Sequence, residues 1–319
     1  MLDRLSVDRL VDAAERLLGQ FGSPDSPQLL KSLHQAAEEL PDQLIRAVRR
    51  RFTAAGLYVL RGLPVDADLE PTPASWAVAD DSGVLWDVTL LLLASVLGHP
   101  IGWRGQQDGR MVNNIVPTAG REEEQTGASS MVLLAPHTED AFHPRRADLL
   151  LLCCMRNHDR VATTAASIQQ TSLSAEDIAT LTRPVAPILP DDAYTTESDQ
   201  IPVPVRTLWQ TPEGLRLRFD PAYTRLGDAD AGYRAAYSRL ESELARVAQA
   251  VALEPGDVLV VNNDVVVHGR VPFQARYDGT DRWLKRALVH LPNRGHRSAS
   301  EQGEHGYGQP VIDPYCDEG

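Results

Sequence analysis

Cysteine and positive charge are both scarce in this chain, and each shortage excludes a class of protein. The chain has 319 residues and only three cysteines, two of them adjacent at Cys153 and Cys154 inside an apolar run. An odd count with this placement indicates buried reduced thiols rather than a disulfide framework. Lysine and arginine number 31 against 44 aspartates and glutamates, which gives a formal net charge of −13. This balance argues against a nucleic-acid partner, because phosphate binding needs clustered positive charge.

Long apolar runs are also missing. The longest apolar stretch in the first third, Val88 to Leu97, is too short to cross a bilayer. Residues 1–10 alternate charged and apolar side chains, which is not typical of a secretory signal. We therefore expect a cytoplasmic protein with no membrane partner. Its 43% hydrophobic and 24% charged residues are ordinary for a globular protein that buries a core.

The periodicity of apolar residues divides the chain into a helical part and a strand-rich part. Residues 10–18, 29–51 with a break at Pro41, and 84–97 have helical spacing, with one short strand at 57–60. Short apolar runs that favour strands follow, and one long amphipathic helix at about 230–252 interrupts them. The predicted strands are 111–116, 131–134, 149–155, 161–168, 203–209, 215–219, 257–261, 265–268 and 283–290.

Helices followed by eight or more short strands predict a mostly β fold, a double-sheet sandwich with helical cover. We expect one domain over 1–319, with mainly helical cover at 1–100 and the sandwich core at 101–295. The tail at 296–319 is rich in glycine and polar residues, and we expect it to be loosely ordered.

Two histidines and one glutamate are the residues that most directly indicate a chemical function. His137 and Glu139 are separated by one residue, so in an extended segment both side chains point to the same side. A third ligand must come from elsewhere, and His268 ends the apolar strand 265–268. Two imidazoles and a carboxylate are the set that holds Fe(II) on one face and leaves positions open for oxygen and a cosubstrate. Structural zinc is less favoured, because such sites are rich in cysteine or have four protein ligands.

The residues around this triad carry a family resemblance. The segments 137–148, 156–159 and 162–164 closely resemble the clavaminate synthase-like branch of the Fe(II)/2-oxoglutarate-dependent oxygenases, which uses glutamate as its carboxylate ligand. The resemblance continues in 60–64, 71–76, 267–273 and 281–286, and so covers about 55–295. It implies a double-stranded β-helix (jelly-roll, cupin-like) core, and Fe(II), 2-oxoglutarate and O2 as cofactor and cosubstrates.

The resemblance also implies roles for the polar residues beside the triad. Arg282 is expected to bind the distal carboxylate of 2-oxoglutarate with its bidentate fork, and Thr164 to help it, with Thr163 as a one-residue alternative. Arg286, on the same strand face as Arg282, is expected to bind the α-carboxylate of a free amino acid. The expected contacts of the α-amino group are Glu139 and either Gln106 or Gln107.

The expected substrate is a free basic L-amino acid. Asp220 matches the position where relatives that act on arginine hold the far end of the side chain, although Ala222 replaces the second acid that they often carry. A turn residue before Pro221 is the other interpretation of Asp220. We therefore predict hydroxylation of an unactivated carbon of an arginine analogue, lysine or arginine, in natural-product biosynthesis. The alternatives are a carrier-tethered aminoacyl substrate or another small molecule, a desaturase or cyclase, and a non-catalytic cupin-like binding protein.

The loop at 117–130 directly precedes the triad motif and is polar, with acidic residues at Glu122, Glu123 and Glu124. We interpret it as a solvated connection. A cover over the site is the alternative, because long loops without their own structure are often functional.

Overall fold

Helices and strands separate along the chain much as the periodicity predicts. The computed structural model describes residues 1–65, 69–78, 83–194, 200–292, 301 and 303–315. In these ranges the helices are α1 (Arg4–Phe21), α2 (Pro27–Glu38), α3 (Asp42–Val48), α4 (Val84–Leu97), α5 (Ala175–Leu181) and α6 (Ala231–Val247). None of the described helices has the length and apolar character needed to cross a membrane.

The strands form two antiparallel sheets and a separate hairpin. The larger sheet has the order β1-β10-β5-β12-β2-β13, with β3 also paired to β12, and the smaller has the order β4-β11-β6-β9. The strands are β1 (Leu57–Leu60), β2 (His99–Trp103), β3 (Val112–Ile115), β4 (Leu134–His137), β5 (Leu149–Arg156), β6 (Thr163–Ser167), β7 (Leu208–Thr211), β8 (Gly214–Leu217), β9 (Gln249–Val251), β10 (Val258–Asn262), β11 (Val266–Arg270), β12 (Trp283–His290) and β13 (Val311–Ile312).

Strand alternation divides the apolar residues between two cores. In β10, Val258 and Val260 pack with the helical cover, whereas Leu259 and Val261 pack into the cluster that includes residues of the smaller sheet and α6. Helix α4 is the inner layer of the cover, and its residues from Trp86 to Val96 are all buried. Because both faces of the larger sheet are covered, β5 is buried along its whole length.

Several boundaries differ from the sequence-based expectation. The predicted strand at 131–134 is displaced to β4, and the one at 203–209 is reduced to β7 and an isolated bridge at Val205. The long helix ends at Val247, after which β9 pairs with β6. The expectation missed β2 and α5.

The expectation of a loosely ordered tail was wrong for its described residues. Glu304 forms a 2.7 Å ion pair with the fully buried Arg218, and β13 pairs with β2. Gly306 lies so close to the His143 ring that a Cβ at this position would overlap it. Ion pairs, strand pairing and close packing therefore hold a segment whose composition alone suggests disorder. Residues 293–300, 302 and 316–319 lie outside the described part.

Candidate active site

Neighbouring strands of the smaller sheet bring the three predicted metal ligands together. His137 ends β4 and lies opposite His268 in β11, and Glu139 follows one residue after the strand. One donor atom from each of the three side chains lies within 4.8 Å of the others. Glu139 Oε2 is 3.3 Å from Nε2 of His268. The pairing of β4 with β11 thus brings side chains that lie more than a hundred residues apart in the sequence into one cluster.

The protonation of these groups suits a cation. His137 Nδ1 lies 2.8 Å from the backbone oxygen of Ala135, so this nitrogen carries a hydrogen and Nε2 is the nitrogen available to a metal. Burial and the neighbouring His137 lower the pKa of His268, which favours its neutral form. Burial opposes ionisation of Glu139, but Arg286 and the two histidines outweigh it and hold the pKa of this carboxyl below its usual range. Two neutral imidazoles and one carboxylate fit Fe(II).

A buried asparagine fixes the backbone of the ligand motif. Asn263 is completely buried, and its Oδ1 accepts the Glu139 N–H at 2.7 Å. Its Nδ2 donates to the backbone oxygens of Glu139 at 3.0 Å and Ala147 at 2.9 Å. All the polar atoms of this amide are therefore used in holding the segment that carries Glu139.

Asp140, which follows the ligand Glu139, is held by two aromatic side chains. Its carboxylate accepts the Trp103 Nε1–H at 2.7 Å and the Tyr194 O–H. The Asp140 backbone has a φ of +52°, a left-handed conformation that only a few per cent of non-glycine residues adopt. These two donors stabilise the reversal of the chain directly behind the metal ligands.

The triad opens into a cavity of about 240 Å³ that also contains both predicted arginines. Leu284 and Arg286 line it from one face of β12, and Arg282 lines it from the position directly before this strand. Both guanidinium groups are largely buried, with 8% and 9% of the residue exposed. Buried cations are costly without anionic partners, so an anionic ligand would stabilise any of these arginines that lacks such a partner.

The two arginines differ in how they are satisfied. Arg286 donates to Glu139, to Gln106 Oε1 at 2.5 Å and to Asn113 Oδ1 at 2.7 Å. Burial disfavours its charge, but Glu139 outweighs burial and raises the pKa of Arg286. Arg282 instead forms no ion pair among the described residues, its Nε has no hydrogen-bond partner, and burial lowers its pKa to about 10. Of these two arginines, Arg282 is therefore the one without a countercharge among the described residues.

Comparisons with known proteins identify the family of this chain. Residues 183–288 match the model of the taurine catabolism dioxygenase TauD, TfdA family. The chain is 34% identical to the enduracididine beta-hydroxylase of Streptomyces hygroscopicus, over 93% of this chain and 94% of that protein. It is 30% identical to clavaminate synthase 2 of Streptomyces clavuligerus, over 83% and 84%. The chain belongs to the clavaminate synthase-like Fe(II)/2-oxoglutarate-dependent oxygenases.

Solved structures of relatives share the fold over most of their length. The non-heme iron oxygenase OrfP, in complex with Fe, succinate and (3S)-hydroxy-L-Arg, superposes with a TM-score of 0.82 at 36% identity, over 91% of this chain and 93% of that one. Asparagine oxygenase, in complex with Fe(II), a hydroxyasparagine and succinate, gives a TM-score of 0.81 at 32% identity, over 90% and 92%. The core of this oxygenase is therefore the jelly roll that the resemblance implies.

The structure places Thr163, rather than Thr164, beside Arg282. Thr163 Oγ1 accepts a hydrogen bond of 2.8 Å from Arg282 Nη2, and this residue lines the cavity. Thr164 does not line it, and its buried hydroxyl has no hydrogen-bond partner among the described residues. The alternative position named from sequence is thus the one that geometry favours.

Of the two glutamines, Gln106 contacts Arg286, as noted above. The amide of Gln107 instead bonds to the backbone of Asn114, donating to its oxygen and accepting from its N–H, both at 2.9 Å. Gln107 is therefore occupied in holding β3, which leaves Gln106 as the glutamine that contacts Arg286.

Asp220 lies near the triad, but its carboxylate is engaged in a turn. Its Oδ1 accepts the N–H groups of Ala222 at 3.1 Å and Tyr223 at 3.3 Å, and Asp220 does not line the cavity. The two accepted N–H groups and the position outside the cavity lining are features of a turn residue before proline. Burial raises the pKa of its carboxyl, with His137 acting in the opposite direction.

Asp191, an acid that the sequence analysis missed, lines the cavity, unlike Asp220. Asp191 lies in the connection between α5 and β7, and burial raises the pKa of its carboxyl to about 7. Repulsion from Asp140 and Glu139 contributes to this rise in pKa, and the hydrogen bond from the Ala193 N–H opposes it. Its neighbour Asp192 also lines the cavity but is exposed. Pro190-Asp191-Asp192 has the composition of an ordinary turn, so only its position in the folded chain reveals its relation to the triad.

The loop before the metal motif also reaches the cavity, which corrects its interpretation as a solvated connection. Arg121 and residues 125–128 line the cavity, and Thr126 is buried. The alternative, a cover over the site, describes these residues better.

Proposed function

We propose that this oxygenase hydroxylates an unactivated side-chain carbon of a free basic L-amino acid. The substrate C–H, O2 and 2-oxoglutarate are converted to the alcohol, succinate and CO2, with one oxygen atom entering each organic product. Fe(II) bound by His137, Glu139 and His268 would supply the activation of oxygen. The observation that carries the proposal is that one cavity contains this triad together with Arg282 and Arg286, two buried arginines that can each bind one carboxylate.

The proposed roles follow from what each arginine contacts. Arg282, with Thr163, binds the distal carboxylate of 2-oxoglutarate, because it has no carboxylate partner of its own among the described residues. Arg286 binds the substrate α-carboxylate and is preset by Gln106 and Asn113. The Gln106 amide oxygen and the Glu139 carboxylate accept hydrogen bonds from the α-amino group. Between them these residues aim one side-chain carbon at the metal and replace water around it.

Acidic groups favour a cationic side chain. Asp191 lines the cavity, and Asp220 adds negative charge close to His137 when it is ionised. Relatives whose names specify ornithine, arginine or lysine as substrate support the same class. Because asparagine is the substrate named for another relative, the fold alone does not select a basic side chain. We place the reaction in the cytoplasm, where 2-oxoglutarate and reduced iron are supplied by metabolism.

A substrate screen tests the proposal. Purified enzyme with Fe(II), ascorbate and 2-oxoglutarate is offered each of the twenty amino acids, ornithine, homoarginine and enduracididine, and succinate is measured together with product mass. We expect coupled succinate release with basic substrates and a mass increase of one oxygen atom. A loss of two hydrogens would indicate desaturation. Turnover of only a carrier-tethered aminoacyl group would contradict the free amino acid.

A further inference from the structure

Arg270 is a third buried arginine in the same cavity. It ends β11, two residues after the ligand His268, and only 3% of it is exposed. Like Arg282, it forms no ion pair among the described residues. Arg270 lies opposite Thr163 in the β6–β11 register, and Thr163 accepts the hydrogen bond of Arg282, so the two buried cations occupy the same part of the cavity and repel each other. Two buried cations without a countercharge are costly, and one anion between them relieves both.

The hydrogen bonds of Arg270 go to the loop between β3 and β4. Its Nη1 donates to the backbone oxygen of Ser129. Its Nη2 donates to Ser129 Oγ at 3.2 Å and to the Val132 oxygen at 2.9 Å. The guanidinium also lies over the Phe273 ring, 5.1 Å from its centroid. One side chain thus clamps the end of the loop onto the strand that carries a metal ligand.

The clamped loop forms part of the cavity wall. Residues 125–128 line the cavity immediately before Ser129. The loop end also bonds within the loop, where the N–H groups of Ser130 and Met131 donate to the Glu122 oxygen, and it accepts the Phe273 N–H at the Ser130 oxygen at 2.9 Å. Arg270 therefore makes a large share of the polar contacts that hold this wall in place.

We propose that Arg270 is a positioning residue that couples the β3–β4 loop to the bound cosubstrate. Its charge lies on the cosubstrate side of the cavity, beside Arg282, while its donors hold the loop. A carboxylate at Arg282 removes the repulsion between the two arginines and so strengthens the clamp. By linkage, a docked loop must then strengthen binding of 2-oxoglutarate. The inference rests on the proposed function only in that 2-oxoglutarate binds at Arg282.

The test uses Arg270→Gln, which removes charge and clamp, and Arg270→Lys, which keeps the charge but not the fork. Arg276→Gln is the matched control, because Arg276 is a half-exposed arginine paired with Asp159 at 2.6 Å outside the cavity. Calorimetry with Mn(II)-loaded protein measures the Kd of 2-oxoglutarate. Hydrogen exchange measures protection of residues 117–133 with and without the cosubstrate. Circular dichroism checks that each variant is folded.

We expect Arg270→Gln to raise the Kd for 2-oxoglutarate roughly tenfold or more, the usual scale for a lost charged contact. Cosubstrate should slow exchange of the loop in wild type and in Arg276→Gln, but not in either Arg270 variant. Arg270→Lys should keep an intermediate Kd. Unchanged affinity in Arg270→Gln, or loop protection that survives in it, would overturn the proposal. Failure of wild type to bind 2-oxoglutarate would instead overturn the proposed function.

Discussion

Thr163 Oγ1 accepts a hydrogen bond of 2.8 Å from Nη2 of Arg282. Among the described residues, no other hydrogen bond holds this guanidinium. A valine at position 163 keeps the shape of the side chain but cannot accept this bond. We expect Thr163→Val to raise the KM for 2-oxoglutarate roughly tenfold, since hydrogen bonds to charged groups contribute about 1.5–3 kcal/mol. The KM for the amino acid should change little.

Thr164→Val is the matched control for this prediction, because the Thr164 hydroxyl lies outside the cavity. Steady-state kinetics with each substrate varied in turn separates the two effects. A larger effect on 2-oxoglutarate from Thr164→Val than from Thr163→Val would return the role to the position first predicted from sequence.

Removal of a metal ligand should abolish turnover without unfolding the chain. We expect His137→Ala, Glu139→Ala and His268→Ala each to lose hydroxylation, with Fe(II) content measured by a chromophoric chelator. Glu139→Ala should also release Arg286, which now pairs with this carboxylate. Glu139→Gln keeps a hydrogen-bond acceptor for Arg286 but loses the charge. Wild-type activity in any of these variants would remove that residue from the triad.

The sequence predicts features that repeat along the chain and misses those that depend on packing. Strand alternation predicts that Arg282 and Arg286 point to the same side, and both line one cavity, Arg286 from β12 and Arg282 from the residue directly before it. The choice between Thr163 and Thr164 is harder, because these residues begin β6 and a one-residue shift exchanges the two faces of a strand. Asp191 lies in an irregular connection, where no period reveals which side chains face the triad.

The ordered tail shows the same limit. Composition describes the average behaviour of a polar, glycine-rich segment, but it does not describe individual tertiary contacts. Glu304 meets the buried Arg218, and Gly306 meets His143. Both partners come from parts of the chain that are far away in sequence.

A buried ion pair on the opposite face of β12 should be important for stability. Lys285 Nζ lies 2.6 Å from Asp87 Oδ1, and both side chains are more than nine-tenths buried. We expect Lys285→Met to lower the free energy of unfolding by about 3–5 kcal/mol, because it leaves a carboxylate buried without a partner. The double variant Asp87→Leu/Lys285→Met should recover much of this loss.

Urea denaturation of Lys285→Met, Asp87→Leu and the double variant measures this coupling. Arg160→Met is the control, since Arg160 and Glu254 form a pair at 3.0 Å in which both side chains are more than 60% exposed. We expect this control to change stability by less than about 1 kcal/mol. Additive effects of the Asp87 and Lys285 substitutions would show that the pair is not coupled.

The acid of the cavity predicts a pH dependence that is specific to cationic substrates. Burial raises the pKa of Asp191 to about 7 in the substrate-free enzyme, so the carboxyl is ionised above pH 7 and neutral below it. Only the ionised form attracts a lysine or arginine side chain, whose own charge is constant in this range. The KM for a basic substrate should therefore rise as the pH falls below about 7. Asp191→Asn should raise this KM at pH 8 and flatten its dependence on pH.

Asp220→Asn should have the smaller effect, because Asp220 is engaged by the N–H groups of Ala222 and Tyr223. The KM for 2-oxoglutarate, measured in parallel, separates this effect from titration of the metal ligands. A basic-substrate KM that Asp191→Asn leaves unchanged would exclude Asp191, and a larger loss in Asp220→Asn would assign the side-chain contact to Asp220.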